Sequence, residues 1–186
     1  MKIPLVNLSA QYLSIKNEID SSINEVINET AFIKGKYLKI FEEKFAKANN
    51  VKFCIGVGNG TDALYIALRA LGINYGDEVI TTSLSWISTS EAILQCGATP
   101  VFIDINPRTF NIDVDKIESK ISKNTKAILP VHLYGQPSEI GKIKDICNRY
   151  KIYLVEDCAQ AHFAEYNSKK VGTFGQIGTF SFYPGK

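Results

Sequence analysis

Lys126-Ala-Ile-Leu-Pro-Val131, the stretch 138–150, and Ile152-Tyr-Leu-Val-Glu-Asp157 decide the fold. The first run is short and apolar, and Pro130, which lacks a backbone donor, belongs near its end. The second spaces Ile140, Ile143 and Ile146 as one face of a helix. The third is another short apolar run, closing on two carboxylates. Strand, helix and strand in about thirty residues make a crossover unit, the connection that joins parallel strands.

Working outward, the same alternation recurs. Residues 78–82 and 100–105 read as strands around a helix over 86–96 that Gly97 ends. Residues 51–57 read as a strand broken by Gly58-Asn-Gly60. A helix follows over 61–71, with Ala63, Leu64, Ala67, Leu68 and Leu71 inside and Gly72 as its cap. Asp113 is the expected N-cap of a helix over 114–121. Asn167-Ser168 reads as a turn, and 180–183 as the last strand. At the N-terminus, Leu8, Tyr12, Ile15, Ile19, Ile23 and Ile27 predict one amphipathic helix. Gly35 punctuates, and 37–49 forms a second helix with Leu38, Phe41 and Phe45 on one face. The whole predicts an α/β fold of three layers, a mostly parallel sheet covered on both faces. Ligand groups in such sheets gather beyond the carboxyl ends of the strands. Gly58 to Thr61, Ser83 to Trp86, His132 to Gln136, Asp157 and Lys186 all follow predicted strands.

Composition narrows the function. The 186 residues are 45% hydrophobic and 22% charged, with a formal net charge of +2. That charge is too small to point to nucleic acid. The longest nearly uncharged run, 84–103, contains Glu91, Gln95, Gly97 and Pro100, so it fits a buried helix and strand rather than a membrane span. The N-terminal ten residues lack the apolar run of a signal peptide. Cys54, Cys96, Cys147 and Cys158 form no CxxC pair, which favours a reducing, cytoplasmic setting. His132 and His162 are too few to support a zinc site, and no metal is expected.

Several stretches carry chemistry. Gly56-Val-Gly-Asn-Gly-Thr-Asp62 joins a strand to a helix, where small residues and free N–H groups suit an anion. It reads equally as a glycine-rich turn with Thr61 or Asp62 capping the helix. Thr61 stands where a dinucleotide fingerprint needs its third glycine, and the next strand ends in Thr81-Thr82 rather than an acid, which argues against a nicotinamide dehydrogenase. Asp157 is placed either to pair with a protonated pyridine nitrogen or to cap a turn. Trp86 offers a flat face or core packing, and His132 and His162 are site or structural residues. Gly178-Thr-Phe-Ser-Phe-Tyr-Pro-Gly-Lys186 sets a lysine on a turn after a strand. A lysine amine there can form a Schiff base with an aldehyde.

Taken together, Gly58-Asn-Gly-Thr-Asp-Ala-Leu64, Pro130-Val-His-Leu-Tyr-Gly-Gln136, Val155-Glu-Asp-Cys-Ala-Gln-Ala-His162 and Gly178 to Lys186 resemble the DegT/DnrJ/EryC1/StrS family of sugar aminotransferases, within the fold-type I pyridoxal phosphate enzymes. The resemblance implies that residues 1–30 are an arm and helix, and that 31–186 are the first part of a cofactor-binding large domain. A small C-terminal domain would then be absent from this chain. It implies pyridoxal 5′-phosphate in a Schiff base with Lys186, and the pyridoxamine phosphate form during turnover. Lys186 would also move the proton. Asp157 would contact the pyridine nitrogen, Gln160 the ring hydroxyl, and Trp86 would stack on the ring. Gly60, Thr61, the Asp62 backbone and Ser181 would bind phosphate. The implied partners are a nucleotide-linked keto sugar, an amino-acid donor (glutamate) and a second subunit in a homodimer whose active site lies at the interface, with no nucleic acid or membrane involved. This stretch alone can then hold most cofactor contacts yet be inactive.

Two departures and two rivals accompany this reading. Phe163 stands where the family has glycine, which could alter a local turn or the substrate pocket. The chain is also shorter than family members, which continue past the lysine. A dehydratase of the same family would carry histidine at position 186, so the lysine favours transamination. A non-catalytic cofactor-binding or regulatory protein is the other alternative.

Overall fold

The computed structural model describes Pro4 and residues 6–186; residues 1–3 and 5 of the expected N-terminal arm lie outside the described residues. The chain divides into two compact units, residues up to 56 with Gly185, and residues 57–184 with Lys186.

In the first unit the expected single N-terminal helix is two, α1 (Leu8–Ser14) and α2 (Lys16–Asn28), broken at Ile15 with φ −126° and ψ 17°. No glycine or proline announces the break. The Ser14 hydroxyl bonds back to the Gln11 carbonyl, and the Ile15 amide reaches only three residues back to Tyr12, tightening the last turn of α1. Helix α3 (Lys36–Asn49) forms as predicted, with Phe41 and Phe45 stacked at 5.6 Å, and ends on Asn50 in the left-handed conformation. The expected strand over 51–57 is not one. The segment makes no ladder among the described residues, and Phe53 and Ile55 are exposed. Its apolar pattern suits a strand, but a strand exists only through a paired neighbour.

The second unit carries the sheet. Its elements are α4 (Gly60–Ala70), β1 (Glu78–Thr82), α5 (Ser88–Gln95), β2 (Thr99–Ile103), β3 (Thr125–Leu129), α6 (Ile140–Tyr150), β4 (Tyr153–Asp157), β5 (Glu165–Tyr166), β6 (Lys169–Lys170) and β7 (Ile177–Thr179). Five parallel strands run in the order β2-β1-β3-β4-β7. Successive side chains point to opposite faces, and the core divides accordingly. Val79, Ala127, Leu129 and Val155 meet Leu64, Leu68 and Ile93 of α4 and α5. Ile80, Ile128 and Leu154 meet Ile140, Ile143 and Ile146 of α6 on the other face.

Two expectations change in detail, and a third, the turn at Asn167-Ser168, is observed. Residues 114–121 form two 3₁₀ turns rather than an α-helix, Val114–Lys116 and Glu118–Lys120, although Asp113 caps the first as predicted. The tighter winding aligns Val114 with Ile117, and both are buried. The last strand is 177–179 rather than 180–183, because its neighbour β4 ends at Asp157, opposite Thr179. Asn167 and Ser168, both at positive φ, form the two-residue turn of a β5–β6 hairpin.

Phe163 sits third in a tight turn closed by the Ala164 amide on the Ala161 carbonyl, with φ +60°. That position favours glycine. The chain therefore keeps the turn and holds a phenylalanine in a strained conformation. Releasing about 1–2 kcal/mol of left-handed strain against about 0.5–1 kcal/mol of added chain entropy predicts that Phe163→Gly makes the protein roughly 0.5–1 kcal/mol more stable. Urea unfolding of the two proteins checks this, and a less stable variant would show that the ring contributes more than the strain costs.

Candidate functional site

Strand order reverses between β1 and β3: the chain goes from β1 outward to β2, then returns to the other side of β1. A crevice opens beyond the carboxyl ends of strands at such a switch point. A cavity of about 550 Å³ lies there. It is lined after β1 by Ser85 and Trp86, after β3 by Leu133, Tyr134 and Gln136, and after β4 by Asp157 and Gln160, with Lys186.

Asp157 is the buried charge of this crevice. Its Oδ1 accepts the Ala159 amide at 3.1 Å and its Oδ2 accepts the Thr89 hydroxyl at 3.0 Å. Thr89 spends its only proton on Asp157, so the Ser85 hydroxyl 2.8 Å away donates to Thr89. Burial pushes the Asp157 carboxyl up, while the Ala159 amide, Thr89 and the charge of Lys186 pull the other way. Such a carboxylate favours a cationic partner.

Ser181 meets α4 at its N-terminus. A Cβ on Gly60 would lie 2.9 Å from the Ser181 Cβ, so only glycine permits this approach. Amides in the first turn of a helix have no intrahelical acceptor, which favours an anion there. Asn59 caps the helix, its Oδ1 accepting the Asp62 amide at 2.9 Å. The expected Asp62 backbone contact is thus already engaged, which leaves the Gly60 and Thr61 amides to serve an anion. The Thr61 hydroxyl donates to Ser88 Oγ at 2.8 Å, leaving the Ser88 proton free for another acceptor.

Gln160 Oε1 accepts the Tyr134 amide at 3.0 Å, which fixes the side chain and leaves its NH₂ as the available donor. Trp86 lines the cavity but is 71% exposed. Lys186 lies beyond β7, its amide bonded to the Tyr183 carbonyl at 2.9 Å.

Glu156, beside Asp157 but on the opposite face of β4, is fully buried. Its Oε1 accepts the Phe174 and Gly175 amides at 2.7 and 2.8 Å; its Oε2 accepts the Gly172 amide at 2.8 Å and His132 Nε2 at 3.2 Å. The Ser138 amide donates to His132 Nδ1 at 3.0 Å, so Nε2 carries the ring proton. Burial alone would raise the Glu156 carboxyl, but the bonds from His132, Gly175 and Gly172 outweigh it and hold the carboxyl below its ordinary value. His132, Glu156 and Cys158 converge closely enough to suggest a metal site. Four N–H donors already fill the carboxylate and Nδ1 is spoken for, so the donor set does not fit a cation. The cluster instead ties the turn after β3 and the loop before β7 to β4.

Sequence reasoning singled out Asp157, Gln160, Trp86 and Lys186, and all four line one cavity. It missed Thr89 and Ser88, and had Ser85 only within the stretch 83–86. Their spacing along 85–89 carried the only signal: hydroxyls recurring on a helix entered from a strand end.

The family model of the DegT/DnrJ/EryC1/StrS aminotransferase family matches residues 13–186. The chain belongs to this family. It is 46% identical over its full length to the pleiotropic regulatory protein of Geobacillus stearothermophilus, covering 50% of that protein. It is 42% identical to the UDP-N-acetyl-3-dehydro-α-D-glucosamine 3-aminotransferase of Acidithiobacillus ferrooxidans over 99% of this chain and 50% of the relative. Among solved structures, Streptomyces venezuelae DesV in complex with a ketimine intermediate superposes with a TM-score of 0.97 at 38% identity, over 100% of this chain and 50% of that one. The chain spans about half the length of the curated relatives it matches. The fold is thus the α/β large-domain architecture expected of the family.

The residues present fit pyridoxal 5′-phosphate. The close approach of Gly60 and Ser181 frames an anion site, the buried Asp157 is bonded only to neutral donors, the Ala159 amide and the Thr89 hydroxyl, among the described residues, and the fixed Gln160 presents a donor.

Proposed function

We propose that the full-length protein is a cytoplasmic, homodimeric aminotransferase that uses pyridoxal 5′-phosphate to move an amino group from glutamate to a nucleotide-linked keto sugar. The observation that carries this reading is Lys186 in one cavity with a buried Asp157, Gln160 and Trp86. A lysine rather than a histidine at position 186 favours transamination over dehydration. Relatives whose names give sugar aminotransferase activity support the substrate class. Exposed Trp86, Ile87, Phe182 and Tyr183 support a partner subunit over the site. No helix among the described residues is long and apolar enough to cross a membrane.

When bound, the cofactor supplies an electron sink for the carbon that bears the transferred nitrogen. Asp157 would hold a proton on the ring nitrogen, its carboxylate fixed by Thr89 and the Ala159 amide. The Gln160 NH₂ would donate to the ring hydroxyl, Trp86 would stack on the ring, and the Gly60 and Thr61 amides with Ser181 would hold the phosphate. Lys186 would be the base that accepts the proton from the substrate carbon and, once protonated, the acid that gives it back.

The test is the absorption spectrum of the full-length protein with pyridoxal phosphate, before and after glutamate. Conversion of the visible band to the near-ultraviolet pyridoxamine form is the expected result. A band unmoved by any amino acid would sink the transaminase reading and favour a binding or regulatory protein, the reading that the Geobacillus relative's name supports.

Asp157→Asn is expected to slow this half-reaction by about 100-fold or more, the scale of losing one preorganised charge contact. In the unsubstituted protein the affinity for the cofactor should fall as pH drops through the raised value of the empty site, because the protonated carboxyl no longer pairs with a cationic ring nitrogen. The variant should lose that acid limb; a pH profile that retains it would assign the limb to another group.

A further inference from the structure

The cavity has a second wall that none of the proposed chemistry uses. Thr109 and Phe110 come from the turn after β2, and Tyr134 and Gln136 from the turn after β3. Two features of this wall stand out. Phe110 has φ +59° and Tyr134 φ +52°, the left-handed region that aromatic residues rarely occupy. Their rings do not earn that conformation by packing: Phe110 is 56% and Tyr134 84% exposed. Asn50 and Lys151, also left-handed, end helices, and Phe163, the third aromatic at positive φ, does not line this cavity.

The turns themselves are clamped. Buried Asn111 donates through Nδ2 to the Gln136 carbonyl at 3.0 Å and accepts the Leu133 amide through Oδ1 at 3.4 Å, joining the two turns side chain to backbone. Gln160 holds the Tyr134 amide from the cofactor side. Two aromatic faces are therefore presented, preformed and largely unpacked, on rigid backbone along the same cavity as Lys186. Strain maintained at a cleft without a packing return marks a functional contact.

We infer that Phe110 and Tyr134 form the specificity wall for the acceptor, stacking on a ring face of the nucleotide-linked sugar, and that they govern its affinity without serving the amino donor. This rests on the function proposed above. The shared chemistry is a flat or apolar ring face, supplied by the base or by the pyranose.

The test uses the full-length holoenzyme and calorimetric titration with UDP-N-acetylglucosamine, dTDP-glucose and GDP-mannose, beside UDP, dTDP and GDP alone. Phe110→Gly and Tyr134→Gly remove the rings while suiting the positive φ, so the turns should persist. Each is expected to weaken the binding probe roughly 5- to 100-fold, the range for loss of one stacking partner. Phe110→Tyr and Tyr134→Phe should keep wild-type binding, and the glutamate spectral half-reaction should be unchanged in these two and in Phe110→Gly. Weakening shared by the free nucleotides assigns the wall to the base; weakening confined to the sugar forms assigns it to the pyranose. Unchanged probe affinity in both glycine variants would overturn the inference, as would a parallel loss of the glutamate half-reaction in Phe110→Gly. A shift from dimer to monomer in sedimentation would overturn it in favour of a subunit contact. A wild-type protein that reacts with glutamate yet binds no probe would overturn it together with the sugar part of the proposed function, whereas one that fails with every amino acid would sink the transaminase reading itself.

Discussion

Lys186→Ala in the full-length protein is expected to leave the glutamate half-reaction nearly undetectable. Positioned proton transfer by a side chain contributes about 10²–10⁴-fold on its own, and the same amine is proposed to hold the cofactor covalently, so the visible band of the bound cofactor should also change. Binding need not vanish. The Gly60–Ser181 anion site, the Asp157 carboxylate and the Gln160 donor lie on other segments of the unit and remain in place. The expected pattern is retained cofactor with lost turnover, read by equilibrium dialysis beside single-turnover kinetics. Near-normal turnover in the variant would remove Lys186 from the mechanism. Addition of a small primary amine such as methylamine should restore part of the rate, because the missing group is a base rather than a structural support.

Glu156→Ala should produce the largest loss of stability. The carboxylate is fully buried and accepts four N–H donors, three of them backbone amides of a single loop. Alanine would leave the Gly172, Phe174 and Gly175 amides and the His132 ring without partners. An unsatisfied buried donor costs about 1–3 kcal/mol, so a loss of about 4 kcal/mol or more is expected. The loop is also tied to β4 by the Gln176 amide on the Leu154 carbonyl at 2.9 Å and by the Leu154 amide on Gln176 Oε1 at 2.7 Å, which hinders it from moving away to find water. Glu156→Gln keeps one acceptor oxygen but turns an NH₂ toward N–H groups, and should fall between the two. Chemical denaturation of the three proteins measures this, and a loss under about 1 kcal/mol for alanine would mean the amides find other partners.

The pH dependence follows from the sign of the shift. The folded Glu156 carboxyl titrates below its ordinary value. Its contribution is therefore fully present above the unfolded carboxylate pKa and is lost as pH falls through the lower, folded one. In Glu156→Gln that portion of the acid unfolding limb should disappear. Because the loop pinned by Glu156 leads into β7, which runs on toward Ser181 and Lys186, the same substitution should also loosen cofactor binding.

Much of this was legible in the chain. The alternation of short apolar runs with helical spacing fixes an α/β sheet, because strands buried on both faces and helices buried on one leave different periodicities. Glu78–Thr82 emerged as read. Pro130 fell just past the end of β3, where its missing donor is harmless. Asp157 and Lys186 were legible as residues that follow strands, and Gln160 through the resemblance to the family; the three line one cavity. Phe163 was visible as a departure, and the turn at φ +60° explains what it departs from.

Tertiary structure decided the rest. The apolar run at 51–57 has a strand's composition, but pairing is a property of two segments, and no neighbour is present among the described residues. The end of β7 was likewise set by where β4 stops, not by the favourable strand residues at 180–183. His132 and Glu156 lie 24 positions apart; their meeting, and the filling of that carboxylate by a glycine loop, turned a possible metal cluster into a hydrogen-bonded pin. Thr89 reaches Asp157 across 68 positions of sequence. Local pattern determines which elements form and which ends carry polar groups, because those depend on neighbours in the chain. Which buried groups share a proton or a charge depends on contacts made across the fold, and only the folded chain specifies them.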